Sequence, residues 1–370
     1  MRGFYFVNTN IENKRAHTFQ ILNTAEFLRR SFDLALVFPE YRNDYDKKNI
    51  FSYYGLTEET SVIFKRVFGI KRSCLLAFLL FDISASYFLF VQKIKNKPDF
   101  IYLRSSFFLS LSLAAFFLRI PIFYETHRKP ISRSEKIRDY FLSKCASGFV
   151  VISKGLETYY SKYNKPVLVI HDAVSLGRFD IRLNKDEARQ KLGISSPGIL
   201  GVYCGSVRKI KGIDVIFSAA KKMPNVNFEI VGPVYPEFKN LEISFNVHLA
   251  GSKSQEKIPT YLKAADFLIL PHPESEYSQS PMKLFEYLAV ARPIISSDTA
   301  NIKEVLVPEG NLFFKSGSDE DFVLAIKKYI AEKETYDKKA INNKEISREY
   351  TWEKRGEKIA RFMRLVLNKQ

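Results

Sequence analysis

The chain has 370 residues, more than one compact core normally holds, so two domains are expected. Its formal net charge of +17 favours a phosphorylated ligand, an anionic membrane surface or nucleic acid. Nucleic acid is the weaker alternative, because the sequence has no Lys/Arg run or RNA-binding motif. Three cysteines without metal-type spacing argue against a disulfide framework, and the N-terminus lacks the apolar run of a signal peptide. We therefore expect a cytoplasmic protein.

Short β-rich runs separated by helical patterns predict a parallel α/β sheet in the first half. The predicted strands are 3–7, 34–38, 99–104, 120–125, 148–153 and 166–171. A helix carrying Ile21, Leu22, Ala25 and Leu28 follows the first strand, and another is predicted over 107–118.

Residues 73–91 are long and apolar enough to cross a bilayer. Asp82 lies at the centre of this stretch, where a charge costs about 2.5–3.5 kcal/mol on insertion scales. We therefore expect a buried amphipathic helix rather than a membrane span. A surface that leans on the membrane is the alternative, given 32 phenylalanines and the excess of basic residues.

The second half repeats the same rhythm of strands and helices. The predicted strands are 199–205, 227–232, 247–251, 267–271 and 293–298. A charged stretch over 175–198, which ends in Ser-Ser-Pro-Gly, is the predicted hinge. The fold class is therefore α/β, with two doubly wound domains.

Ligands of such sheets bind at the carboxyl ends of the strands, where one loop, GSVRKIKG at 205–212, opens a helix. Gly205 and Gly212 let the backbone approach a ligand, while Arg208 and Lys211 supply positive charge. The loop is neither a Walker loop nor a GxGxxG fingerprint, and a basic turn without function is the alternative.

A second anion site is predicted where a helix begins near residue 281. Pro281 suits the first helical position, and the free N–H groups there attract an anion together with Lys283. The alternative is a core helix whose two charges, Lys283 and Glu286, are solvated. Paired with the loop 205–212, this helix entry predicts a two-sided diphosphate clamp.

Residues 201–232, 246–271 and 280–306 together resemble the donor half of retaining glycosyltransferases of family four. The motifs KRAHTFQILNTAEFLRR, FYETH, VVISKGLETYY and YTWEKRGEKIARFMRLV extend the likeness over nearly the whole chain. The resemblance implies a GT-B fold with two Rossmann-like domains facing a cleft. Its parts would be an acceptor-side domain over 1–178, a donor-binding domain over 179–345, and a helix over 346–370 that crosses back to the first domain.

The resemblance also implies roles for particular residues. Lys211 matches the family lysine that contacts the donor diphosphate, and Glu286 matches the second glutamate of an E-x7-E motif, which holds the donor ribose. His127 matches a histidine near the sugar or acceptor, and the loop at Ala16 and His17 matches a segment facing donor and acceptor. The implied catalytic residues are His127, Lys211 and Glu286. The implied donor contacts are Gly205, Ser206, Arg208, Lys211, Ser278, Ser280, Pro281, Met282, Lys283 and Glu286.

Two positions depart from the family pattern. Ser278 stands where the first glutamate of E-x7-E would fall, so the carboxylate contact to the sugar is missing or comes from Glu274 or Glu276. Ser206 stands where the family often has arginine, and Arg208 or Lys283 can replace that charge.

The resemblance implies a hexosyltransferase that uses a UDP- or GDP-linked sugar, without metal or cofactor and with retention. Front-face attack is expected, because no carboxylate is identifiable beneath the sugar. The acceptor would be a glycan or lipid-linked oligosaccharide in lipopolysaccharide or capsule synthesis, with peripheral association at the anionic inner membrane. The alternatives are a GT-B nucleotide-sugar epimerase and a non-catalytic protein that binds anions or nucleic acid.

Overall fold

The computed structural model of the chain describes residues 1–11, 16–40, 62–66, 75–95, 97–195, 198–238, 242–273 and 281–369. It divides into two compact units. The first unit combines Met1–His171 with Trp352–Gln370, and the second is Asp172–Thr351. Sequence interpretation placed the corresponding boundaries after residues 178 and 345.

The described strands of the first unit form one parallel sheet, as predicted. They are β1 (Arg2–Phe6), β2 (Asp33–Glu40), β3 (Val62–Arg66), β4 (Phe100–Leu103), β5 (Ile122–Thr126), β6 (Gly148–Val151) and β7 (Val167–Val169), in the order β3-β2-β1-β4-β5-β6-β7. β3 was not predicted, because its apolar run is three residues long before Lys65. Its pairing with β2, in which Leu36 lies opposite Val62, is a long-range contact without a local signal.

Helices flank this sheet. In chain order they are α1 (Ala16–Arg29), α2 (Leu75–Lys95), α3 (Leu109–Phe117), α4 (Arg133–Cys145) and α5 (Lys154–Tyr160). Buried residues of α2, α3, α4 and α5 pack in one core with alternate residues of the strands, whereas α1 packs in another. The helices α2 to α5 therefore cover one face of the sheet, and α1 covers the other.

The prediction that residues 73–91 form a buried amphipathic helix is only half right. α2 is a helix that passes the length and hydropathy test for a membrane span, but one third of its most apolar window is buried. Ala77, Phe81 and Ala85 pack against the sheet, while the opposite apolar stripe is exposed. The sequence pattern could not separate the two stripes, because both are apolar.

Asp82 lies on the buried stripe of α2 and caps the neighbouring helix. Its carboxylate accepts hydrogen bonds from the Ser110 N–H at 2.8 Å, the Ser110 hydroxyl at 2.5 Å and the Leu111 N–H at 3.0 Å. These N–H groups belong to the first turn of α3, which has no side-chain cap of its own. Burial raises the pKa of Asp82, and these hydrogen bonds oppose that shift. The aspartate thus joins α2 to α3.

The described strands of the second unit also form one parallel sheet. They are β8 (Ile199–Cys204), β9 (Val226–Val231), β10 (Val247–Gly251), β11 (Phe267–Leu270), β12 (Ile294–Ser297) and β13 (Leu312–Phe314), in the order β10-β9-β8-β11-β12-β13. β13 was not predicted, since three residues are too few for a periodic signal.

The remaining helices follow in chain order. They are α6 (Leu176–Phe179), α7 (Lys185–Leu192), α8 (Asp214–Lys222), α9 (Ile258–Ala264), α10 (Met282–Ala289), α11 (Ala300–Lys303), α12 (Asp319–Ala331), α13 (Lys333–Lys339), α14 (Asn342–Ser347) and α15 (Trp352–Leu367). The last of these belongs to the first unit, where Ile359, Ala360 and Met363 share a core with α1.

Both sheets reverse their winding beside their first strand. β8 pairs with β9 on one side and β11 on the other, as β1 pairs with β2 and β4. Ligands of such sheets bind at this switch point, outside the carboxyl ends of the strands. In the second unit, the loops at that point begin at Gly205 and Pro271.

Candidate functional site

The two loops at the switch point of the second unit touch backbone to backbone. Gly212 has a φ of +69°, and a Cβ there would overlap the carbonyl oxygen of Pro271. A Cβ at Gly232, where φ is +153°, would overlap the carbonyl oxygen of Gly205. Glycine is therefore required at these positions for both its left-handed backbone and its lack of a side chain.

Gly212→Ala is expected to destabilise the second unit by more than about 2 kcal/mol and to weaken ligand binding at this loop, because strain and overlap add. Gly193→Ala is the matched control, since its φ is +68° but nothing lies within 4 Å of its Cβ position. The control should cost only about 1 kcal/mol in chemical unfolding. Equal costs for the two variants would contradict the close approach of the loops.

Lys283 projects from the first turn of α10 to the end of β8. Its ammonium donates a hydrogen bond to the Tyr203 hydroxyl at 2.9 Å and lies 4.1 Å from the centre of the Tyr203 ring. A Cβ at Gly205 would overlap the same ammonium group. Burial lowers the pKa of Lys283 to about 8. The structure therefore joins the predicted helix entry to the predicted glycine loop.

Lys211 lies in a short 3₁₀ helix, Lys209–Lys211, within the same loop. Burial is the main cause that lowers its pKa to about 8, and the positive charges of Lys283 and Arg208 contribute to the same shift. Within the described part of the chain, Lys211 has neither a hydrogen bond nor an ion pair of its side chain. Two partly desolvated ammonium groups thus lie near each other, which a bound anion would stabilise.

The other loop residues shape this site. The Arg208 guanidinium lies 4.5 Å from the centre of the Tyr235 ring, and its Nε is 3.9 Å from a carboxylate oxygen of Glu237. Its charge is therefore partly balanced. The Ser206 carbonyl accepts a hydrogen bond from the Tyr203 hydroxyl at 3.1 Å, so Tyr203 contacts both the loop backbone and Lys283.

Glu286 lies one turn after Lys283 on α10. Burial raises its pKa, and the charges of Arg178 and Lys283 oppose that shift. Its carboxylate has no hydrogen bond to another described residue, which leaves its oxygens able to accept bonds from hydroxyl groups. Pro281 is buried and precedes the helix, which begins at Met282, one residue later than predicted. The predicted contacts Ser278 and Ser280, and the substitutes Glu274 and Glu276, lie outside the described residues.

In the first unit, His127 is held on both sides of its ring. Nδ1 lies 3.0 Å from Nη2 of Arg104, and Nε2 lies 2.5 Å from Oε1 of Glu125. Arginine only donates, so Nδ1 accepts and Nε2 carries the proton that is shared with Glu125. These two contacts fix the orientation of the His127 imidazole.

Glu125 is the centre of a buried network. It accepts hydrogen bonds from the Tyr102 hydroxyl and from Arg355 Nη2, each at 2.7 Å. Arg355 comes from α15 and also donates to the Thr24 hydroxyl at 2.8 Å. Burial alone would raise the pKa of Glu125, but the guanidinium groups of Arg355 and Arg104 and the bond to His127 hold it well below its usual range.

Sequence analysis missed Arg104, Glu125 and Arg355. A signal existed for Glu125, because residues two apart on a strand face the same side and His127 follows β5 by that spacing. No local pattern marks Arg355. The predicted acceptor-side residues lie at the start of α1, where the His17 carbonyl is 3.5 Å from Arg104 Nη1 and the Ala16 side chain is outside the described residues.

The sequence of the second unit matches a known family. Residues 184–346 match the model of glycosyl transferases group 1. The matched range contains the glycine loop, α10, Lys211, Lys283 and Glu286. The glycosyl transferase pattern therefore includes the residues that the structure brings together.

Two curated relatives match over a similar length. TuaH of Bacillus subtilis (strain 168), named as a teichuronic acid biosynthesis glycosyltransferase, is 26% identical over 164 residues, 41% of each chain. The uncharacterized glycosyltransferase MJ1178 of Methanocaldococcus jannaschii is 24% identical over 160 residues, 42% of this chain and 44% of the relative. The matches thus span less than half the length of these relatives.

Solved structures match over the whole chain. Sucrose-phosphate synthase of Thermosynechococcus elongatus superposes with a TM-score of 0.81 at 14% identity, covering 100% of both chains. Anabaena Alr3699/HepE, solved in complex with UDP, superposes with a TM-score of 0.79 at 14% identity, covering 99% of this chain and 100% of that one. The chain has the GT-B fold. The predicted fold class is confirmed in its two doubly wound α/β sheets.

Proposed function

We propose that the chain is a glycosyltransferase that moves a hexosyl group from a nucleotide-diphosphate sugar to a glycan or lipid-linked acceptor. The observation that carries this proposal is the pair of desolvated lysines, Lys211 and Lys283, at the switch point. A diphosphate supplies the negative charge that would offset the cost of burying two ammonium groups. Glu286, on the same helix as Lys283, would accept hydrogen bonds from the donor ribose.

The reaction breaks the bond between the sugar C1 and the diphosphate oxygen and forms a bond between C1 and an acceptor hydroxyl oxygen. Negative charge develops on the departing diphosphate, and Lys211, Lys283 and the first N–H groups of α10 would stabilise it. We propose a retaining reaction by front-face attack, in which the acceptor proton passes to the leaving phosphate. His127, held by Glu125 and Arg104, would orient the sugar or acceptor rather than take that proton.

The acceptor and the donor base are parts of the same proposal. The name of TuaH supports an acceptor in cell-surface polysaccharide synthesis, such as lipopolysaccharide or capsule. The UDP complex of Anabaena Alr3699/HepE supports a UDP-linked donor, with a GDP-linked donor as the alternative.

A binding and turnover panel tests the proposal. The purified chain is titrated by calorimetry with UDP, GDP, ADP and the matching nucleosides. For each nucleotide that binds, the release of that nucleotide from its sugar derivatives is then measured. At least one diphosphate should bind about a hundredfold more tightly than its nucleoside, and its sugar derivative should be slowly hydrolysed to the free sugar of the same stereochemistry. A product that keeps the nucleotide and differs only in sugar configuration would identify an epimerase. Absence of diphosphate binding would contradict the proposal.

The pH dependence of the same titration isolates the lysines. A lysine with a pKa near 8 is protonated below pH 8 and neutral above it, so diphosphate affinity should fall by about tenfold or more per pH unit above pH 8. The corresponding nucleoside should show no such loss. Lys211→Arg should make the profile less steep, since arginine stays charged throughout and Lys283 alone then loses its proton in this range. An affinity for diphosphate that is constant from pH 7 to 9.5 would show that neither lysine binds it.

A further inference from the structure

The exposed stripe of α2 is apolar along its whole length. Ile83, Tyr87, Phe90 and Ile94 recur at intervals of three and four residues, and their exposures run from 51% to 72%. This spacing places them on one side of the helix, opposite the residues that pack against the sheet. Single exposed apolar residues are ordinary on a protein surface, but a continuous stripe marks an interaction site.

The neighbouring helices extend this stripe into a broader surface. α2, α3 and α4 pack on the same face of the sheet, so their outward sides face the same direction. α3 exposes Phe116 and Phe117, and α4 exposes Ile137, Tyr140 and Phe141. We call the outward side of these three helices the apolar face.

The exposed charged side chains of these three helices are basic. Basic side chains stand at Lys95 in the last turn of α2, at Arg119 after α3, and at Arg133, Lys136 and Lys144 on α4. The carboxylates of the three helices are engaged elsewhere, because Asp82 and Asp139 are buried and Glu135 is paired with Arg128. Positively charged side chains therefore surround the apolar face.

We propose that the apolar face lies on an anionic lipid bilayer, with its aromatic and aliphatic side chains at the boundary between headgroups and acyl chains. Apolar area and basic charge are the two contributions that hold interfacial helices on such membranes. A second copy of the chain fits less well, since the basic side chains around the two apolar faces would repel each other.

The helix α2 lies on the bilayer and does not cross it. Its buried stripe, with Phe81 and Leu89, forms part of the core of the first unit, and Asp82 holds the first turn of α3 by three hydrogen bonds. A membrane span would require these contacts to break. The apolar face belongs to the first unit, whereas Lys211 and Lys283 belong to the second, so this inference does not rest on the proposed function.

Vesicle flotation of the purified full chain tests the apolar part of the inference. The chain should float with vesicles that contain phosphatidylglycerol and remain in solution with pure phosphatidylcholine. Ile83→Glu and Phe117→Glu should each reduce binding at least tenfold. Ile341→Glu and Phe245→Glu are matched controls, because these side chains have similar exposure but belong to the second unit, and they should bind as the parent does.

The charged part has its own pair of variants. Arg133→Glu combined with Lys136→Glu should abolish binding to anionic vesicles, whereas Lys327→Glu combined with Lys338→Glu makes the same change of charge in the second unit and should leave it intact. The inference is overturned if the parent does not float, or if the controls lose as much binding as the face variants. It is also overturned if Ile83→Glu abolishes a dimer instead, or if only detergent releases the parent, since high salt should release a surface-bound chain.

Discussion

Lys283→Ala is expected to weaken nucleoside diphosphate binding about a hundredfold, which corresponds to roughly 2.7 kcal/mol. The ammonium of Lys283 is partly buried, so a bond to phosphate would form in an environment that screens charge less well than water does. Lys211→Ala should have an effect of similar size, because this group also has a pKa lowered to about 8 by burial. Calorimetric titration of the bound diphosphate measures both losses directly.

Lys209→Ala is the matched control for these variants. Lys209 lies in the same 3₁₀ helix as Lys211, but its side chain is exposed, so its removal should change the affinity less than threefold. Stability gives a second check. Removal of a buried charge without a partner should leave the free energy of unfolding unchanged or raise it by about 1–2 kcal/mol, so lost binding by Lys211→Ala cannot be attributed to unfolding. Parent-like affinity in both Lys211→Ala and Lys283→Ala would show that the diphosphate binds elsewhere.

Arg355→Met is expected to lower the free energy of unfolding of the first unit by about 3–5 kcal/mol. The guanidinium donates at 2.7 Å to Glu125, which is fully buried, and at 2.8 Å to the hydroxyl of Thr24. Its loss removes a charged donor from both acceptors and takes away the largest favourable charge interaction of Glu125, whose remaining hydrogen bonds from Tyr102 and His127 do not replace that charge. Urea unfolding followed by circular dichroism measures the cost.

Two further variants isolate the ion pair. Arg361→Met removes an exposed arginine from the same helix and should cost less than about 0.5 kcal/mol. Adding Glu125→Gln to Arg355→Met should recover part of the loss, since the buried charge that lacks its partner is then removed. If the double variant is as unstable as the sum of the single variants, Arg355 acts through packing and not through Glu125.

The periodic part of the fold was predictable from the sequence. Runs of β-branched and aromatic residues marked most of the strands, because buried parallel strands are apolar on both faces. β3 and β13 were not predicted, since a short edge strand forms by pairing with a strand that is distant in the chain. The exposure of the outer stripe of α2 was not predicted for another reason. Hydropathy shows that a side chain is apolar but does not show whether it is buried or exposed.

The residues of the candidate site likewise include some that the sequence predicted and some that it did not. Lys211 and Lys283 are 72 residues apart, yet both follow strands whose carboxyl ends meet at one switch point, so topology alone predicted their approach. The pair of Arg355 and Glu125 spans 230 residues and follows no strand order. It depends on the course of α15 after the second unit ends, which residue spacing does not encode.

The return of α15 to the first unit bears on how the protein is made. During synthesis, residues 1–171 leave the ribosome well before Trp352–Leu367 are translated. The carboxylate of Glu125 therefore lacks its guanidinium partner while the whole second unit is produced. The amino-terminal sheet consequently reaches its final stability only after the second unit and α15 have been translated. Folding of the first unit therefore depends on a helix that is made later than the whole second unit.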